Sequence, residues 1–206
     1  MTLPQSIFKT LDIDHLRAYR ENVDISQLSP IIGTIADVIY ERQRGKANSR
    51  TCAQVHDNCW PGFGCEVAFK RVIPRASIVN EDVANISDTT YANLQRDVLL
   101  DGVHVAIKGL DRTNYKTDVW ISEKQRESIK SCSSFCKELV FMSYLPTQSK
   151  SEYKREYIFS ATSIVTNLED FATNFDTYAK KTANSYSYRL NVETAIDAGI
   201  YINLLS

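Results

Sequence analysis

Apolar positions change period along this chain, from helical spacing before residue 60 to strand patterning after residue 98. Between Asp12 and Asn22, Ile13, Leu16 and Tyr19 fit one face of a short amphipathic helix. Ser29-Pro30 is a helix start, with Ser suited to capping and Pro to the first turn, and Ile31, Ile35, Val38 and Ile39 then form one stripe. Gly45 supplies a left-handed stop behind the basic residues Arg42 and Arg44. Thr51 is the expected cap of another helix, which Pro61, Gly62 and Gly64 are expected to interrupt. Regular structure resumes over residues 65–70, without a period that separates helix from strand.

Residues 77–97 are polar and aperiodic and read as a long connection ending in a short helix. Residues 98–110 and 115–121 read as two strands joined by a turn at 111–114, and residues 139–145 and 157–165 as two more. Thr166-Asn167-Leu168-Glu169 has capping-box spacing, and Leu168, Phe171, Phe175 and Tyr178 continue a helix to about Ala179. Residues 185–193 and 199–205 are further strand candidates. The expected class is α+β: an N-terminal helical bundle, a central antiparallel β-sheet or barrel, and a C-terminal α/β segment. The corresponding regions are residues 1–75, 76–165 and 166–206.

Composition narrows the function classes. With 206 residues, 43% of them hydrophobic, the chain can bury a substantial core. A formal charge of −1 with no long block of one sign argues against electrostatic capture of nucleic acid or of an anionic membrane. No apolar run has the length of a spanning helix, and Met1-Thr2-Leu3-Pro4 lacks the pattern of a secretory signal. A cytoplasmic location is therefore expected. Five cysteines, an odd number, fit reduced thiols better than a disulfide framework. No glycine pattern of the dinucleotide or P-loop kind occurs.

Cys52, at the first position of its helix, faces unpaired backbone N–H groups and the positive end of the helix dipole, the surroundings a nucleophilic thiolate needs. His104 lies in an apolar strand and Asp118 at the end of the next, so a hairpin would set imidazole beside carboxylate. Cys52, His104 and Asp118 together make a thiol triad, as nucleophile, base and orienting group. Cys59, in Asn58-Cys59-Trp60, is the competing nucleophile of a thiol hydrolase. Cys52, His56, Cys59 and Cys65 are four zinc-ligand types, but three, two and five intervening residues are no common zinc framework, and no metal is expected. Cys132 and Cys136, four apart, read as ordinary thiols on one helical face.

In order along the chain, Arg42-Gln43-Arg44-Gly45, Cys52-Ala53-Gln54-Val55-His56, Val103-His104-Val105-Ala106-Ile107 and Asn114-Tyr115-Lys116-Thr117-Asp118 resemble the motif series of arylamine N-acetyltransferases. The segment from Tyr153 to Tyr178 resembles the strand and helix that follow that family's barrel, so the resemblance spans roughly residues 30–190. It implies an acyltransferase with a cysteine-protease-like triad, moving acetyl from acetyl-CoA to Cys52 and then to an arylamine or hydrazine. Coenzyme A and a small amine would be its partners, with no nucleic acid and no membrane. The chain departs from the pattern at Lys46, which stands for a glycine, in the extra residues 47–51, and at Val119-Trp120-Ile121-Ser122, where the family carries a Gly-Phe-Gly loop. Those departures leave open a non-catalytic interaction protein of the same fold, alongside the Cys59 thiol hydrolase.

Overall fold

The computed structural model describes residues 11–45, 50–79, 97–112, 120–122, 138–147, 155–166, 179–182, 185–189, 192–197, 199 and 201–204. Its first elements are α1 (Ile13–Ala18), β1 (Arg20–Asp24), a 3-10 turn (Ser26–Leu28) and α2 (Ser29–Gln43). The amphipathic pattern over residues 12–22 therefore splits. Asp12 caps α1 by accepting from the His15 N–H at 3.0 Å, and the chain then turns into a strand that buries Val23. Helix α2 starts at Ser29 with Pro30 in its first turn, but Leu28 is the cap position and no side chain caps it, so Ser29 is the first helical residue and not the cap. Gly45 just beyond the helix has φ +76°, the left-handed stop read from the sequence.

Helix α3 (Cys52–Val72) is the spine of the molecule. Thr51 and Gln54 form a full capping box: the Thr51 hydroxyl accepts from the Gln54 N–H at 3.2 Å, and the Gln54 side chain accepts from the Thr51 N–H at 2.9 Å. The helix runs through Pro61, Gly62 and Gly64 without a break, contrary to expectation. An interior Pro costs about 3 kcal/mol and a Gly about 1, but this segment buries Pro61, Phe63, Gly64, Cys65, Ala68 and Phe69 against the sheet. Each large side chain returns roughly 1.5–3 kcal/mol, so tertiary burial outweighs local propensity. Gly64 is required for that docking. A Cβ there would lie 2.5 Å from Phe159 Cζ and 3.1 Å from Ile25 Cδ1.

The strands that follow are β2 (Ser77–Ile78), β3 (Val98–Leu100), β4 (Val103–Asp111), β5 (Trp120–Ser122), β6 (Glu138–Pro146), β7 (Glu156–Val165), β8 (Ala179–Thr182) and β9 (Ser185–Arg189). The described chain closes with α4 (Val192–Asp197) and β10 (Tyr201–Asn203). The main sheet has the order β1-β7-β6-β4-β3-β2, with β10 also on β7. Strands β1 and β10 share one edge of β7, opposite residues 156–160 and 163–165 respectively. Helix α3 lies across this sheet, joining Phe63, Ala68, Phe69 and Val72 to Val98, Leu100, Val105, Ile107, Val140, Met142 and Phe159 in one core. Regions 1–75 and 76–165 thus share a single core.

The α+β class is as expected, but the sheet is mixed rather than antiparallel, because β4 and β6 run parallel from Val105↔Glu138 to Asp111↔Tyr144. A parallel pair needs a crossover, not a hairpin. The continuous strand expected over residues 98–110 is two strands, separated by Asp101 (φ +50°) and Gly102 (φ +81°), the Asp-Gly pair that two-residue hairpins favour. Of the hairpin expected to follow β4, residues 113–119 lie outside the described residues, and Trp120 and Ile121 belong to β5, which pairs with β9 in a separate sheet that β8 completes. Of the strand expected over residues 185–193, residues 185–189 form β9, residues 190–191 lie outside the described residues, and residues 192–193 open α4. The helix expected from Thr166 falls almost wholly outside the described residues.

Candidate functional site

Only Cys52 and His104 of the expected triad are among the described residues. Cys52 is exposed at the first turn of α3, His104 sits in β4 opposite Leu99, and Asp118 lies outside the described residues. Helix α3 and β4 run antiparallel. Near the helix C-terminus Arg75 pairs with Asp101, just before β4, at 3.3 Å, while a methyl group at Gly109, late in β4, would sit 3.3 Å from Cys65 Sγ. Cys52 is about 20 Å further up the helix from Cys65, and His104 about 16 Å down the strand from Gly109 in the opposite direction. The two residues occupy opposite ends of the layer.

Cys52 instead has other neighbours. One helical turn on, His56 Nε2 lies 3.0 Å from Asp37 Oδ1 of α2, and the Cys52 sulfur, a His56 ring nitrogen and an Asp37 carboxylate oxygen all lie within 4.8 Å of one another. Cys59 and Cys65 do not join them. Cys65 is rotated by about 220° from Cys52 around the helix and is fully buried, its thiol directed at the Met142 carbonyl at 3.9 Å. Burial pushes the Cys59 thiol up to about 11, with the nearby Arg50 opposing and Glu66 adding, so at neutral pH it is protonated and a poor nucleophile. Cys132 and Cys136 lie outside the described residues.

A second constellation, unmarked by any sequence motif, sits in the middle of α3. Glu66 faces Asp97, the residue leading into β3, and Lys108 of β4. The Asp97 side chain is one-tenth exposed, and its Oδ2 accepts the Ile107 N–H at 2.6 Å and stands 3.9 Å from Lys108 Nζ. The Asp97 carbonyl accepts from the Val79 N–H at 3.0 Å, so both backbone and carboxylate are fixed. Continuing the β3–β4 register by one pair sets Asp97 across from Ala106 and diagonal to Lys108. The Glu66 Oε2 atom is sealed from solvent and has no hydrogen-bond partner, although the residue as a whole is only half-buried.

An unpaired carboxylate oxygen in such a place is expensive. Burial, then the Asp97 charge, holds the Glu66 carboxyl well above the ordinary carboxylate value, against the pull of the Lys108 ammonium. Asp97 is raised by burial too, opposed by Lys108 and by the Ile107 N–H. Lys108, with a third of its side chain exposed, is the member that reaches solvent. With Glu66 protonated, Asp97 and Lys108 balance one another, and with Glu66 ionised the cluster is one positive charge short. Its all-oxygen donor set suits a hard divalent cation such as Mg²⁺ or Mn²⁺, which takes one or two carboxylates and keeps several waters.

The sequence did carry a signal for these residues: Glu66, Asp97 and Lys108 each interrupt or abut an apolar run, in Cys65-Glu66-Val67-Ala68-Phe69, Asp97-Val98-Leu99-Leu100 and Val105-Ala106-Ile107-Lys108. A charge inside a core-forming run is rare unless paired or functional. No family model, no curated protein and no solved structure matches the chain. Among the described residues, no helix is long and apolar enough to cross a membrane.

Proposed function

We propose that this protein is a divalent-metal-dependent phosphodiester hydrolase of nuclease type, with Glu66 and Asp97 holding the cation and Lys108 facing the substrate phosphate. The observation that carries this reading is the sealed, unpartnered Glu66 carboxylate oxygen beside a second fixed carboxylate and an amine. When bound, the cation supplies Lewis-acid stabilisation of the negative charge that builds on phosphate oxygens. Lys108, anchored by Asp97 at its inner side and open to solvent at its outer side, offers its ammonium to a non-bridging phosphate oxygen. Cation binding would displace the proton that burial otherwise holds on Glu66, so that Glu66 and Asp97 serve as ligands, and the attacking water gives its proton to solvent as the oxygen–phosphorus bond forms. The bond to the ester oxygen breaks, and the departing alkoxide takes up a proton from solvent. The near-neutral net charge gives little long-range attraction for a polyanion, so recognition rests on this local site.

The test is hydrolysis of single- and double-stranded DNA, RNA and a nitrophenyl phosphodiester by the full chain with Mg²⁺ or Mn²⁺. Activity that requires the cation and disappears in Glu66→Gln and Lys108→Ala supports the reading. Inactivity on every phosphodiester, or activity indifferent to both substitutions, would overturn it.

A second reading keeps the acyltransferase implied by the sequence resemblance, because Cys52 has an imidazole and a carboxylate beside it, although from His56 and Asp37. The Cys52 sulfur would attack the acetyl-CoA carbonyl, His56 taking the thiol proton and coenzyme A leaving as its thiol. An arylamine or hydrazine nitrogen would then displace the sulfur. A mass increase of one acetyl group on Cys52, absent in Cys52→Ser, is its test. Reduced thiols and a cytoplasmic location belong to this reading.

A further inference from the structure

The Asp37, Cys52 and His56 cluster has a donor set unlike that of the buried carboxylates: one sulfur, one imidazole nitrogen and one carboxylate oxygen. Thiolate and imidazole are ligands for borderline and soft transition metals, whereas Mg²⁺ avoids them. Cys52 and His56 are four apart on α3 and project from one face, the spacing by which a single helix offers two ligands to one ion. The capping box at Thr51 and Gln54 fixes the turn that carries Cys52, and α2, packed against α3, supplies Asp37.

We propose that Asp37, Cys52 and His56 form a binding site for a transition-metal ion of the zinc class, separate from the Glu66 and Asp97 site. In a tetrahedral zinc site, with bonds of about 2.0–2.3 Å, donor atoms stand roughly 3.3–3.6 Å apart. His56 and Asp37 are already at 3.0 Å, and the whole set lies within 4.8 Å, so closure requires movements of about 1 Å by exposed or half-exposed side chains free to change rotamer. Three protein ligands leave a fourth position for water or an exogenous group, the arrangement of zinc sites that stay open to exchange. The two sites are fourteen residues apart on one helix, about 20 Å, so neither needs the other.

The experiment is a titration of the reduced full chain with Co²⁺ under argon, followed by Zn²⁺. One equivalent of Co²⁺ is expected to give a sulfur-to-cobalt charge-transfer band, together with visible bands of tetrahedral intensity, and Zn²⁺ is expected to erase both. Cys52→Ser should abolish the charge-transfer band. His56→Ala and Asp37→Ala should each weaken binding by more than the roughly tenfold that even an outer-shell partner is worth. All three positions are exposed or half-exposed, so circular dichroism should show an unchanged fold. Glu66→Gln should leave the cobalt spectrum untouched. Zn²⁺ should also shield Cys52 from iodoacetamide, read by mass spectrometry of its peptide. Absence of the band in the wild-type chain, or its persistence in Cys52→Ser, overturns the proposal, the latter assigning the thiol ligand to another cysteine.

Discussion

Helix α3 carries two sets of reactive side chains, and they differ in nearly every physical respect. At its N-terminus Cys52 and His56 meet Asp37 in the open, where water screens charge and each side chain can change rotamer. Further along the helix Glu66 meets Asp97 and Lys108 against the sheet, where only Lys108 reaches well into solvent and burial forces both carboxyls up. The exposed set is held by a helix cap and costs the fold almost nothing. The buried set is held by the core and destabilises the fold until its charge is balanced. A protein tolerates an unpaired, sealed carboxylate when it has a use, and that asymmetry makes the middle of α3 the stronger candidate for chemistry.

The largest effect expected from breaking this contrast is on turnover. Glu66→Gln or Lys108→Ala should lower metal-dependent phosphodiester hydrolysis by at least about 100-fold, the range for losing a positioned charge-stabilising group. Cys52→Ala should leave it within experimental error. The reverse ranking in a steady-state assay would move the chemistry to the helix N-terminus.

Thermal stability sharpens the same contrast. A carboxyl whose folded pKa is raised binds its proton more tightly in the folded state, so the stability it contributes is full below its unfolded pKa of about 4.3 and falls as pH rises toward the folded value. Without divalent metal the protein should therefore lose stability as pH rises above about 4, and Glu66→Gln should raise the melting temperature at pH 8. Saturating Mg²⁺ at 100 times its dissociation constant is worth about 2.7 kcal/mol, or roughly 5–10 °C for a chain of this size. That gain should vanish in Glu66→Gln and shrink at pH 4.5. A melting scan that shows equal Mg²⁺ stabilisation at both pH values and in the variant would sink the site.

Two glycines of α3 separate its docked from its open face. Gly64→Ala forces a methyl group into the Phe159 ring, and overpacking of that kind costs about 1–3 kcal/mol. Gly62→Ala meets nothing within 4 Å and should stabilise by about 0.5–1 kcal/mol through helix propensity. Urea denaturation of both variants should give shifts of opposite sign. The smallest effect expected is at the cap: Thr51→Ala should cost about 1 kcal/mol and loosen the Cys52 turn while leaving Mg²⁺ stabilisation intact.

Local signals were legible where a residue acts through its own neighbours in the chain. Thr51 with Gln54, Pro30 in a first turn, and Gly45 announced helix ends because caps, first-turn prolines and left-handed stops depend on a few adjacent dihedrals. The strands over residues 139–145 and 157–165 were legible because β6 and β7 are buried runs with few alternatives. Asp101-Gly102 was equally local, and its hairpin was hidden only by the apolar residues on either side.

What the sequence by itself determined is the α+β class, the extent of α2, β6 and β7, and the start of α3. Only the tertiary structure decided that Pro61 and Gly62 stay inside one helix, since that depends on burial of Phe63, Cys65 and Phe69 against strands far along the chain. It also decided that β4 pairs with β6 in parallel, because register between distant strands is set by the shared core and not by either strand alone. The candidate site belongs to the same category. His104 looked like the partner of Cys52 because both belong to plausible motifs, yet helix direction carries them to opposite ends of the layer. Glu66, Asp97 and Lys108 come together for the same geometric reason, across gaps of 31 and 11 residues that no spacing rule encodes.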